Sequence, residues 1–126
     1  MSKRQTAQPE IAFRSGCPIA TTLDLVGDRW SLVIVRDMLV GKTKFGEFLA
    51  SPEHVPTNIL TARLKRMEQA GLVVKRAYQT NPARYEYRLS DKGRALAPVL
   101  QDICRWANAY VPGTWTPPDS FMSLTA

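Results

Sequence analysis

The chain has 126 residues, 44% of them hydrophobic, with 17 lysines and arginines against 11 acidic residues, for a net charge of +6. That length suits one hydrophobic core and not two. Two cysteines, Cys17 and Cys104, and a single histidine, His54, supply neither a disulfide framework nor the clustered ligands and acid–base groups of a zinc site or hydrolase.

No run of about eighteen apolar residues is available to span a membrane, and the opening MSKRQTAQPE lacks the apolar centre of a secretory signal. A reducing, cytoplasmic location and no cofactor are therefore expected. The positive charge is concentrated: between Pro56 and Arg94 lie nine lysines and arginines against Glu68, Glu86 and Asp91, whereas the remainder balances eight basic with eight acidic residues. A localised surplus of this kind points to a polyanionic partner.

In chain order, residues 1–15 read as a polar, flexible arm. Pro18 suits a first helical turn, and Ile19, Leu23 and Val26 recur at helical spacing until Gly27 ends the pattern. Asp28 is an N-cap for a second helix running from Trp30 to Leu39, apolar enough to form the buried centre, with Trp30 taken as packing. Phe45, Phe48 and Leu49 mark a short third helix ending near Ser51-Pro52.

The fourth helix, TNILTARLKRMEQA, starts beside Pro56 and closes at Gly71. At about 100° per residue its Leu60, Leu64 and Met67 form one stripe bordered by Ile59 and Arg63. Asn58, Ala62, Lys65 and Gln69 project from the other side. LVVKRAY and RYEYRLS, separated by QTNPA, read as a hairpin with a longer tip. Ser90 then precedes a long last helix, DKGRALAPVLQDICRWANAYV, in which Pro98 either bends the helix or marks a late start. Residues 112–126 read as a loose tail with Trp115 docked on the body.

Four helices, a β-hairpin and a final helix make a mainly α, α+β chain whose order is that of a winged helix-turn-helix, with the core domain over residues 16–111. In that arrangement one helix enters the major groove of duplex DNA and the hairpin wing reaches the minor groove. The recognition set is then Thr57, Asn58, Thr61, Ala62 and Lys65. Lys42, Lys44, Arg63, Lys75 and Arg84 serve as backbone and wing contacts, Arg84 as the minor-groove finger. For Thr57 and Asn58 plain helix capping is an equal alternative. A winged helix used only for protein interaction, or for RNA, is the competing class, but the basic groove-facing elements and the few hairpin aromatics count against it.

CPIATTLDLVGDRW, IVRDMLVGKTKFGEF, VPTNILTARLKRMEQAGLV and YEYRLSDKGRAL, in that order, resemble the HxlR family of MarR-like winged-helix regulators over residues 16–110. The resemblance implies a transcriptional regulator, by expectation a repressor, that forms a homodimer through its first and last helices and binds pseudo-palindromic operators. It also implies that Cys17, in the Cys-Pro position, senses an electrophile or oxidant. A helix start stabilises a thiolate. A small buried residue with no such role is the equal alternative for Cys17.

Overall fold

The computed structural model describes residues 11–125. Its elements are α1 (Pro18–Val26), α2 (Ser31–Leu39), α3 (Phe45–Leu49), α4 (Thr57–Gln69), β1 (Val73–Thr80), β2 (Ala83–Leu89), α5 (Asp91–Arg94), α6 (Ala97–Tyr110) and α7 (Asp119–Met122). Of the expected arm, residues 1–10 lie outside the described residues; Arg14 is tied to Asp24 of α1 by its Nε, 2.6 Å from the carboxylate.

Pro18 occupies the first turn of α1, and the helix stops at Gly27, where a Cβ would lie 2.4 Å from the Leu23 carbonyl oxygen. Asp28 caps α2 from slightly further upstream than expected: its carboxylate accepts the amides of Trp30 and Ser31 at 3.0 and 3.1 Å, and the helix begins at Ser31. Ile34 and Val35 of α2, Phe48 of α3 and Leu60, Leu64 and Met67 of α4 close the core. Interior side chains on three helices fix how α3 and α4 sit against α2.

β1 and β2 pair antiparallel from Val73↔Leu89 out to Thr80↔Ala83. The tip is therefore the two residues Asn81 and Pro82, not the longer QTNPA loop, because Gln79 and Thr80 continue the ladder. A register shift between Ala77 and Gln79 leaves Tyr78 as an extra, unpaired residue. The hairpin is anchored at its base by the Tyr87 amide, which donates to the Thr43 carbonyl at 2.7 Å, and by a bridge between Lys44 and Glu86.

The long last helix is two helices. Ser90 caps α5 by accepting from the Gly93 amide, α5 ends after one turn, and α6 restarts at Ala97 with Pro98 in its first turn, so Pro98 marks a late start. Close packing of α5 on the start of the hairpin requires a glycine within it: a Cβ at Gly93 would come within 2.2 Å of the Leu72 carbonyl oxygen. The tail also departs from expectation. Trp115 remains 74% exposed and Phe121 of α7 is the residue that enters the core. The buried Gln101 amide holds this segment, donating to the carbonyls of Phe121 and Leu124 at 3.0 and 2.9 Å.

Candidate nucleic-acid interface

A polar network around the buried Asp37 and Ser51 ties the loop between α3 and α4 to α2. Asp37 of α2, its side chain 3% exposed, accepts from Arg36 and from the Ser51 hydroxyl. Arg36 also grips Glu53 through both terminal nitrogens at 2.7 and 2.8 Å. The Glu53 carboxylate at the guanidinium raises the pKa of Arg36 above its ordinary value, and the same hydrogen bonds hold Glu53 below the usual carboxylate range. The loop from Ser51 to Pro56 is thereby fastened to α2, which fixes where α4 begins.

α4 buries its leucine and methionine stripe and leaves Thr57, Asn58, Thr61, Ala62 and Lys65 exposed. Pro56 takes the N-cap position, and neither the Thr57 nor the Asn58 side chain makes a hydrogen bond among the described residues. The capping role is thus not realised, and both groups face outward unpaired. Thr61 donates its hydroxyl to the Thr57 carbonyl at 3.0 Å, a bond internal to the helix. The Lys65 ammonium has no ion-pair partner among the described residues.

Two of the expected backbone contacts are engaged within the protein. Lys42 donates to the Ser51 hydroxyl at 2.8 Å and lies 4.0 Å from Asp37, so it belongs to the buried network. Arg63 pairs with Asp28 at 3.0 Å. Burial pushes the Asp28 carboxyl upward, but the Ser31 hydroxyl, the Trp30 amide, the Arg63 charge and the Ser31 amide outweigh it and hold the group below its ordinary value. The partner of Arg63 lies 35 residues away in the chain, whereas those of Lys42 lie within nine residues of it, across the turn after α2 and at the end of α3.

Lys44, Lys75 and Arg84 remain exposed on the wing and at its base. The Lys44 ammonium sits 4.7 Å from the Tyr78 ring centroid and that of Lys75 4.3 Å from the Tyr85 ring, so each flexible cation is braced on an aromatic face. Arg84 makes no hydrogen bond or ion pair among the described residues. Arg76 and Arg88, by contrast, converge on Glu86 and, chiefly through the Arg88 hydrogen bond, keep its carboxyl below the usual range. The sequence counts Tyr78 and Tyr85 only among the few hairpin aromatics; their role as rings beneath Lys44 and Lys75 is signalled there by no more than their alternation with basic residues.

Lys44 and Arg84, apart in sequence, come together with Phe45, Tyr78, Tyr85 and Tyr87 around a cleft of about 340 Å³ between the start of α3 and the wing. Among the described residues no group of histidine, cysteine and carboxylate side chains is placed to hold a metal, and no helix is long and apolar enough to cross a membrane.

A family model for HxlR-like helix-turn-helix proteins matches residues 25–114. The chain belongs to that family. It is 33% identical over 95 residues to the HTH-type transcriptional regulator YdeP of Bacillus subtilis strain 168, covering 75% of this chain and 74% of YdeP. It spans 65% of the length of its mycobacterial relatives. Among solved structures it is similar to PA1607, a candidate transcription factor, at 42% identity and a TM-score of 0.73, covering 82% of this chain and 73% of PA1607. It is also similar to the redox regulator HypR in its oxidised form, at 31% identity and a TM-score of 0.67, covering 74% of this chain and 96% of HypR.

Membership of the HxlR family and the helix–hairpin order make this protein a DNA-binding transcriptional regulator of the winged helix-turn-helix class, and not an enzyme.

Proposed function

We propose that the protein is a cytoplasmic homodimer that reads a pseudo-palindromic operator through α4 and represses the genes beside it. The exposed face of α4 carries the reading: Asn58, Thr57 and Thr61 offer hydrogen-bonding groups, Ala62 permits close approach, and Lys65 supplies a cation, all on a helix fixed from behind by its leucines. Asn58 pairs with an adenine edge and Lys65 with phosphate or guanine. Lys44 and Lys75 bind phosphate, and Arg84 enters a narrow A·T minor groove.

The dimer is supported by a second surface. Ile19 and Leu23 of α1 and Ile103, Trp106 and Tyr110 of α6 are exposed, with Ile19 72%, Trp106 62% and Tyr110 72% accessible. Apolar groups of this size on two helices suit burial against a second copy of the chain. A twofold dimer places its two recognition helices on half-sites one or more helical turns apart.

Cys17 supplies the input. It is exposed at the start of α1, beside the proposed dimer surface, so an electrophile or oxidant reaches it and its modification alters how the two protomers meet. HypR, a redox regulator of similar fold, is consistent with this role.

The test is a titration of the protein against duplex and single-stranded DNA at several salt concentrations. The proposed reader prefers one duplex and loses affinity steeply with salt as counterions are released. Equal affinity for single strands and all duplexes rejects operator reading.

A further inference from the structure

We propose that Glu86 is a specificity-determining residue of the wing: it holds Arg76 and Arg88 back from phosphate and so limits sequence-independent binding to DNA. The proposal rests on the reading that the wing meets a duplex with Arg84 leading.

Glu86 is the one carboxylate in β1 and β2, among Lys75, Arg76, Arg84 and Arg88. Side chains alternate along a strand, so Arg84, Glu86 and Arg88 share one side of β2, and the register places Arg76 directly across from Glu86. Arg76 Nη2 lies 3.3 Å from Glu86 Oε1, and Arg88 meets both oxygens, through Nε at 3.2 Å and Nη2 at 3.5 Å. Lys44, the ladder neighbour of Glu86 on its other side, turns its ammonium to the Tyr78 ring instead. The carboxylate thereby selects Arg76 and Arg88 and leaves Lys44, Lys75 and Arg84 to a duplex.

Folding gains little from this arrangement. The Arg76 and Arg88 side chains are 73% and 60% exposed, and ion pairs at such exposure contribute little to stability. Toward DNA the same charges matter more. Successive residues on one side of a strand are about 7 Å apart, less than the Debye length of about 8 Å at physiological salt. A carboxylate at position 86 therefore acts on the phosphates around Arg84. It repels them whatever the base sequence, and each of its arginines must leave an ion pair before it meets a phosphate. On an operator α4 sets where the wing lies; on random duplex the protein is free to shift toward any phosphate, and there the restraint on the two arginines counts most.

The experiment is a fluorescence-anisotropy titration of a random-sequence duplex across a salt series with Glu86→Gln, which keeps the shape of the side chain and removes its charge. Random-duplex binding is expected to tighten by up to about fivefold, the scale of one exposed ion pair gained. The salt slope is expected to steepen by about 0.9 for each arginine that reaches a phosphate. Glu86→Thr, with a strand-forming residue in its place, should do the same and serves where Glu86→Gln folds poorly. Replacing Arg76 and Arg88 by glutamine in the Glu86→Gln protein should return the slope to the wild-type value. Asp119→Asn, which adds the same unit of charge on α7, should leave it unchanged. An unchanged slope in Glu86→Gln, a gain that Asp119→Asn matches, or a gain that survives loss of both arginines overturns the role. A merely structural Glu86 would lower the unfolding midpoint and leave the slope alone. These titrations use no operator, so their failure is separate from that of operator reading, which is lost when the wild type prefers no duplex. On operator DNA the preference over random duplex is expected to narrow in Glu86→Gln, and a preference as wide as that of the wild type overturns the specificity role.

Discussion

Arg63 Nε lies 3.0 Å from Asp28 Oδ2, which joins the middle of α4 to the turn that starts α2. The same carboxylate caps α2, so one acidic group holds α4 and the central helix α2 together. Asp28→Ala removes both and should cost about 0.5–2 kcal/mol, the range of a lost cap. Arg63→Gln should lower the unfolding midpoint in urea while leaving duplex affinity per folded molecule nearly unchanged. A large affinity loss with no change in stability would instead return Arg63 to the DNA surface.

The Asp28 pairing also gives a pH signature. Its folded pKa lies below the ordinary value of 3.8, so its contribution is complete above that value and is lost as pH falls through the folded pKa. The stability gap between wild type and Asp28→Asn should therefore be present at pH 7 and shrink at the acid end of the folded range, below about pH 4. Urea unfolding at a series of pH values measures it; a gap that widens on acidification contradicts the assignment.

Asn58 and Lys65 should separate reading from holding. Asn58→Ala is expected to cost on the order of 1–3 kcal/mol at the operator and almost nothing on random duplex. Lys65→Ala, if Lys65 meets phosphate, should weaken both and reduce the salt slope by about 0.9. Titrations of the two variants on operator and random DNA decide the matter, and equal loss by Asn58→Ala on every sequence removes it from base reading.

Periodicity made α4 legible: Leu60, Leu64 and Met67 recur at helical spacing, and that alone determined which side faces out. Lys42 and Arg63 were not legible in the same way, because Ser51, Asp37 and Asp28 reach them through tertiary packing. The wing shows a similar division. Its strands are plain in the β-rich runs around QTNPA, but the continuation of the ladder through Gln79 and Thr80 and the extra residue at Tyr78 are set by register between strands. At the C-terminal end Ser90 and Pro98 each marked a helix start, yet no residue at 95–96 announces the break between α5 and α6. Aromatic size misleads in the tail: Trp115 is the larger ring, yet Phe121, carried on the short α7, is the one that is buried.

The outer apolar face should govern assembly. Trp106→Glu places a charge beside Tyr110 on the exposed side of α6 and, if that side forms the subunit contact, should convert a dimer into species near the 14.1 kDa chain mass. Light scattering on the eluting protein gives the answer directly. Because Trp106 is largely exposed in the single chain, circular dichroism should remain that of the wild type. Operator affinity should fall with the dimer, since two half-sites can no longer be bound together. A variant that remains dimeric relocates the contact.

Cys17 and Cys104 differ in access: the first is exposed at the start of α1, whereas the second is half-buried against the core. A quinone should consequently add to Cys17 first, the thiolate sulfur bonding to a ring carbon while the ring oxygen takes up the proton. Intact-mass measurement should show one adduct per chain at low quinone excess, located at Cys17 by peptide mapping. The wild type should then release its operator, Cys104→Ser should behave in the same way, and Cys17→Ser should bind the operator with unchanged affinity but ignore the quinone. If Cys17→Ser still releases DNA on treatment, Cys17 is a surface thiol without a regulatory role.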